Sequence, residues 1–356
     1  MAYPSPSDVP VAENMDSQPR ILLLGLRSSG KSSIQKVVFH KMPPGDTMNL
    51  ESTNQIVKED ITSGSFIQFQ IWDCPGQNDF SDSSLYDLDY IFGTRGALIF
   101  VIDAQDDCNE ALRMLNRVFT NAYNVNKNLK FEVFIHKIDG IPEDQKLELQ
   151  RYILYTASEE LKESGIHGLH LSIHLTSIYD HTIFEAFSKV VQKLVKSLSV
   201  LENMLTMFSN NSGVDKVFLF DIVSKIYIAT DVNQVENELY ELCCDMIDVT
   251  LDISCVYGEG DDDVENSGFD HESGALIRLN TNFVLYLREV NRHLAVVCII
   301  SDTNFQRRGT IDYNFGILRK KINDILEANK NLEKLKNNSA AVEDANGDDD
   351  LSNNVC

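Results

Sequence analysis

The stretch that most limits the possible folds is short: ILLLGLRSSGKS, Ile21 to Ser32. The apolar run Ile21–Leu26 reads as a buried strand that runs straight into a glycine-bracketed loop. Gly25 to Ser32 fits G-x-x-x-x-G-K-[ST]. The pattern requires a strand, then a loop whose backbone N–H groups wrap phosphate oxygens, then a helix whose positive N-terminus faces them. The candidate phosphate-binding residues are Gly25, Arg27, Ser28, Ser29, Gly30, Lys31, Ser32 and Ser33. Lys31 would bridge the β- and γ-phosphates, and the Ser32 hydroxyl would bind Mg²⁺.

The sequence around the loop repeats the strand–helix theme. IVKEDI and FIQFQIW flank TSGS and read as a hairpin. ALIFVID, FEVFIHKID and LHLSIHLTS are further buried strands, and helical patterns lie between them. This alternation predicts an α/β fold: a mostly parallel sheet with helices on both faces, over residues 19–198. The pattern then changes. Residues 199–212 read as a linker, and 213–330 run β-β-α-β-β-β-α, a separate α+β domain. Residues 1–18, rich in Pro, Ser and Asp, and 331–356, which are acidic, read as disordered tails.

The other motifs close strands too. In WDCPGQ, Asp73 sits where a carboxylate can hold Mg²⁺, Gly76 can turn its N–H to a γ-phosphate, and Gln77 can orient an attacking water. In HKID, His136 to Asp139, Asp139 is placed to accept from guanine N1–H and its 2-amino group. Adenine offers neither, and a pocket built for those donors rejects it. The stem of Lys137 can pack on the purine plane. TSIYD should offer a backbone N–H near Ser177–Ile178 to guanine O6. Open α/β sheets bind ligands at strand C-terminal ends, where all four motifs fall.

Charge and cysteine content narrow the partners. A net charge of −23 over 356 residues argues against nucleic acid. Runs such as LAVVCII fall short of the ~18 residues of a membrane span. Ala2 stands where myristoylation needs glycine, and Cys356 is last where a prenylation box needs Cys fourth from the end. Membrane contact is therefore expected only through a partner. The seven cysteines show no C-x-x-C spacing and read as buried free thiols. His170 and His174 lie about 13 Å apart in a strand at ~3.3 Å per residue, too far to share an ion. The acidic loop Glu259–Glu272 lacks EF-hand spacing.

P-loop, D-x-x-G-Q, [N/H]-K-x-D and T-S-x in this order resemble small Ras-like GTPases. His136 departs from the Asn of most of them and is a mark of the Rag branch. GLRSSGKSSIQKVVFHKM, FQIWDCPGQ, VFIHKID, LTSIYDHTIFEAFSKVVQKL and ELCCDMIDV resemble Rag GTPases of the C/D type, from about Pro19 to Ile325. The resemblance implies GTP/GDP and Mg²⁺ as ligands, with Thr53 as a switch residue that coordinates the metal. It implies a roadblock-like C-terminal dimerisation domain and an obligatory Rag A/B-type partner. It also implies a Ragulator-like scaffold, a TOR complex subunit as effector, a GTPase-activating protein, and a GDP-bound signalling form. The expected locations are the cytoplasm and the cytoplasmic face of the lysosome or vacuole, with the nucleus as a further compartment. Arg27, where faster relatives carry Gly, reads as solvent-facing, as crowding the attacking water, or as a cis-arginine for transition-state charge. A slow intrinsic GTPase is the expectation; a nucleotide-locked scaffold with negligible turnover is the alternative. An Arf-like GTPase would carry glycine after the initiator Met and Asn in place of His136.

Overall fold

The structure, a computed structural model, describes residues 18–61, 69–76, 87–195, 197–233, 235–257 and 273–347. The first sheet contains β1 (Arg20–Leu24), β2 (Val57–Ile61), β3 (Phe69–Asp73), β4 (Gly96–Asp103), β5 (Lys130–His136) and β6 (Leu171–Thr176), in the spatial order β2-β3-β1-β4-β5-β6. Only the β2–β3 pairing is antiparallel. β1 lies between β3 and β4, so the chain winds outward from it in both directions. The loop after β1 therefore opens at the crevice where such sheets take ligands.

Successive β1 side chains explain the layers. Leu22 and Leu24 join a core with Leu98 and Phe100, covered by Leu112, Leu115 and Phe119 of α3 (Cys108–Val125) and Ile153, Ala157 and Leu161 of α4 (Glu143–Glu163). Ile21 and Leu23 point the other way, under Ile34 and Val38 of α1 (Lys31–His40) and Phe187, Val190 and Val191 of α5 (Thr182–Leu194). Strands buried on both faces read as unbroken apolar runs, as in ALIFVID. The short helix α2 (Leu88–Phe92), capped by Asp87, packs against α3, and its Tyr90 O accepts from Arg20 Nη1 at 2.6 Å.

Residues 199–212 are not a linker. They lie within helix α6 (Leu198–Ser212), which ends on Gly213 in the left-handed conformation at φ 67°. Leu201, Leu205 and Phe208 recur at helical spacing and are buried, which gives the segment a core-facing stripe. α6 covers a second sheet with α9 (Arg308–Gly347), whose Ile311, Phe315, Leu318 and Ile322 complete that core. The strands are β7 (Lys216–Asp221), β8 (Ile226–Thr230), β9 (Gly274–Arg278), β10 (Phe283–Asn291) and β11 (Leu294–Ser301), ordered β8-β7-β11-β10-β9 and antiparallel throughout. The one-turn helix α8 (Asp302–Phe305) precedes α9. Residues 331–347 also depart from the expected tail, because α9 continues to Gly347. Ala, Leu, Lys and Glu without an internal Pro suit a helix as well as a disordered segment, so composition did not discriminate. Residues 1–17 and 348–356 lie outside the described residues.

The other face of the second sheet carries α7 (Asn237–Tyr257) and meets α5. Phe218, Phe220, Tyr227 and Tyr240 share one core with Phe187 and Val190, so the two sheets are joined through α5. The junction is also polar: Tyr227 N–H donates to Ser188 Oγ at 3.1 Å, and Gln192 Nε2 donates to Tyr227 O at 3.2 Å.

Candidate nucleotide site

A cleft of about 670 Å³ opens at the C-terminal ends of the first sheet. Its floor is the loop after β1. Gly25 has φ 142°, and a Cβ there would meet Val101 O at 2.3 Å, so the loop turns where only glycine fits against β4. Gly30, at φ 99°, begins α1 and points the helix N-terminus into the cleft. Lys31 is buried and folds back over the loop: Nζ donates to Gly25 O at 3.0 Å, Leu26 O at 2.8 Å and Ser29 Oγ at 3.4 Å. Burial lowers its pKa, and the Asp73 charge opposes that shift. Arg27, Ser28, Ser32 and Ser33 also line the cleft, while Ser29 is buried beneath it.

Three oxygen-bearing side chains from separate elements converge beside Lys31. Ser32 Oγ donates to Asp73 Oδ2, Thr53 Oγ1 lies 2.8 Å from Ser32 Oγ, and Thr53 Oγ1 donates to the same Asp73 oxygen at 3.2 Å. The other carboxylate oxygen, Asp73 Oδ1, is buried with no hydrogen-bond partner among the described residues. Burial raises the Asp73 pKa, against the Ser32 hydrogen bond and the Lys31 charge. Hydroxyl and carboxylate oxygens suit a hard cation such as Mg²⁺, and an orphaned buried carboxylate oxygen is what such an ion would satisfy.

Gly76 lies against the phosphate loop: a Cβ there would meet Arg27 N at 2.3 Å and Leu26 C at 2.4 Å. Gly76 and the loop after β1 therefore line the same end of the cleft. Gln77, the candidate for orienting water, lies outside the described residues. Arg27 is exposed, and its Nη2 donates to Ser52 Oγ at 3.4 Å, reaching from the phosphate loop to the neighbour of Thr53.

The residues expected to read the base line another part of the cleft. His136 is buried at the end of β5, with Nδ1 3.1 Å from Thr176 Oγ1. A Cβ on Gly30 would touch the His136 ring at 2.6 Å, so imidazole and phosphate loop are in direct contact. Burial, helped by the Lys137 charge, lowers the His136 pKa to about 4, and the ring is neutral at pH 7. Lys137 is left-handed at φ 62°, and its Nζ donates to Asp103 Oδ2 at 2.5 Å and Ser28 O at 2.8 Å. Asp139 Oδ1 accepts from Ser177 Oγ at 2.7 Å, linking the loops after β5 and β6. Of the two expected backbone donors, the Ser177 N–H donates to Thr182 Oγ1 at 2.9 Å, and Ile178 lines the cleft.

Sequence reasoning missed Asp103 and Gln105. Asp103 pairs with Lys137, and Gln105 Nε2 donates to Lys137 O at 3.0 Å, so both brace the HKID turn. The signal is DAQDD, which follows a strand parallel to the one that ends at HKID; its pattern also suits a helix cap, and Asp107 caps α3, accepting from Asn109 N–H at 3.0 Å. The histidines set aside as a metal site are apart from the cleft; His174 Nε2 lies 3.0 Å from Glu132 instead.

Residues 20–247 match the Gtr1/RagA G protein conserved region. "Ras-related GTP-binding protein C" of Mus musculus is 58% identical over 311 residues, covering 87% of this chain and 78% of that protein. "Ras-related GTP-binding protein D" of Mus musculus is 56% identical over 317 residues, covering 89% and 70%. "GTP-binding protein gtr2" of Schizosaccharomyces pombe is 47% identical over 308 residues, covering 86% and 97%. Among solved structures, Myxococcus xanthus MglB aligns with a TM-score of 0.30 and 13% identity over 38% of this chain and 92% of that chain, too slight a likeness to argue from.

Proposed function

We propose, from the premise that this chain belongs to the Gtr1/RagA family of G proteins, that it is a guanine-nucleotide switch that hydrolyses GTP slowly and is accelerated by an activating protein. The observation that carries this reading is the convergence, at one sheet edge, of Lys31, the Ser32–Thr53–Asp73 oxygen cluster and Asp139. Ser32, Thr53 and Asp73 would hold Mg²⁺, which when bound neutralises charge on the phosphates. Lys31 exchanges its loop carbonyls for phosphate oxygens, which keeps its buried ammonium satisfied. Asp139 accepts from the guanine edge, with Lys137 held beneath the base by Asp103. The Gly76 N–H and the Thr53 hydroxyl respond to the γ-phosphate, and Gln77 orients the water that attacks it.

Further proposals rest on the family. The partner is a second, A/B-type Rag GTPase. Its docking through the C-terminal domain is supported by β9, an edge strand among the described residues, and by exposed Val249, Ile253 and Val256 on α7. A Ragulator-like scaffold holds the pair on the lysosome or vacuole, where it signals amino-acid sufficiency to the TOR kinase complex. Two measurements test the switch. Asp139→Asn should move preference from GTP to XTP, because xanthine presents an acceptor where guanine presents its amino group; unchanged GTP affinity overturns the base assignment. Single-turnover hydrolysis should be slow alone and faster with the activating protein. No turnover in either condition would establish the nucleotide-locked scaffold instead.

A further inference from the structure

The base-reading loop has a second anchor outside the cleft. Ser177, Ile178 and Tyr179 run from β6 towards α5, and Thr182 closes the turn by accepting the Ser177 N–H and donating its own N–H to Asp180 Oδ1 at 2.9 Å. His181, between Asp180 and Thr182, is the N-cap residue of α5, and it does not line the cleft. The ring lies between two carboxylates of α7 at long range: Nδ1 is 3.5 Å from Glu241 Oε1, and Nε2 is 3.8 Å from Asp245 Oδ1. Nδ1 is buried and makes no hydrogen bond among the described residues, so these carboxylates are the polar groups that face it. Glu241 and Asp245 are one helical turn apart on a face that is more than half exposed, so neither is needed to build a core. Phe184 packs beside the imidazole, and the Lys225 ammonium lies over Phe184 while pairing with Asp248 of α7 at 2.7 Å.

We infer that His181 is a positioning residue for guanine nucleotide. It fastens the base-reading loop to α7, so that the C-terminal domain sets how long the nucleotide stays bound. The inference rests on the guanine reading of the cleft. The physical argument concerns loop opening. Nucleotide leaves when the Ser177–Asp180 turn moves off the base, and a turn tied at its C-terminal end to a second domain opens less often. Ser188 and Gln192 hold α5 to β8 further along, so α5 is a fixed rod and His181 its end nearest the ligand. A structural helix cap would instead bond to its own helix, but His181 makes no side-chain capping bond to α5.

The test uses the full-length chain and a fluorescent GDP analogue. Glu241→Gln with Asp245→Asn should speed GDP release about three- to tenfold, the range expected for two partly exposed polar contacts. His181→Gln should do the same, and the triple variant should release GDP no faster than either. A charge swap, His181→Glu with Glu241→Lys and Asp245→Lys, should restore slow release. Wild-type release rates from the carboxylate variant, or effects that multiply in the triple variant, overturn the inference. A parent chain that binds no GDP would overturn the guanine reading itself, and this inference with it.

Discussion

His136 and Gly76 are single residues whose surroundings fix the outcome of a substitution. The His136 pKa is lowered to about 4 in the folded chain, while an unfolded histidine titrates near 6.5. Between these values the unfolded state binds the proton and the folded state does not. The folded state is therefore fully favoured above pH 6.5 and loses about 3 kcal/mol as pH falls towards 4. His136→Asn removes this component, so its melting temperature should fall less steeply than wild type across that window. Gly76→Ala sets a methyl against the Leu26–Arg27 backbone. Overpacking of this kind costs about 1–3 kcal/mol. The loop can open to relieve it, but that moves the Gly76 N–H away from a terminal phosphate. GTP affinity should fall at least about fivefold with GDP affinity nearly unchanged, as titration of the two nucleotides would reveal. At this scale the loop after β1 was legible, because Gly25 and Gly30 take positive φ values that few other residues tolerate. The committed Ser177 N–H and the Asp103–Lys137 pair were not, since they depend on how strands far apart in sequence come to lie side by side.

Among the elements, α6 is where reading and structure part. Its residues lie between two domains of obvious pattern and end on the polar NNSG, whose residue types favour a loop. The buried stripe Leu201, Leu205 and Phe208 makes it part of the second core. Leu205→Ala should cost about 2–5 kcal/mol in denaturant unfolding, against nearly nothing for a linker. The end of β7 carries a different load. Asp221 is buried, and its Oδ2 accepts from Ser224 N–H at 3.0 Å and Oγ at 2.5 Å, while Oδ1 has no hydrogen-bond partner among the described residues. Burial pushes its pKa up to about 7. Here the folded state holds the proton between pH 4 and 7, and stability is lost as pH rises through that range. Asp221→Asn should therefore be more stable than wild type at pH 8, by about 2–4 kcal/mol, and no more stable at pH 4. The strands were legible because buried parallel strands are continuously apolar. The reach of α9 was not, because its distal part has no apolar stripe by which a reader could place its end.

Over the whole molecule, the shared core of α5, β8 and α7 is the feature with the widest reach. Two sheets that read as separate domains in sequence are packed on one helix, and Ser188, Gln192 and His181 add polar links. Unfolding in denaturant should therefore be one cooperative transition. Trp72, the only tryptophan, reports the first sheet, and its fluorescence should lose its native signal at the same midpoint as the far-ultraviolet signal of the whole chain. Two separated midpoints would mean that the junction is weaker than its burial indicates. The same feature bears on synthesis. The ribosome completes α5 before any of β8 or α7 exists, so the nascent first half must hold Phe187, Val190 and the rest of that apolar seam uncovered until the second half emerges. A messenger cut short after Val195 would yield not a working minimal switch but a fragment with a sticky flank, a client for chaperones. Newly made chains should be most prone to misassociation in that interval between the halves.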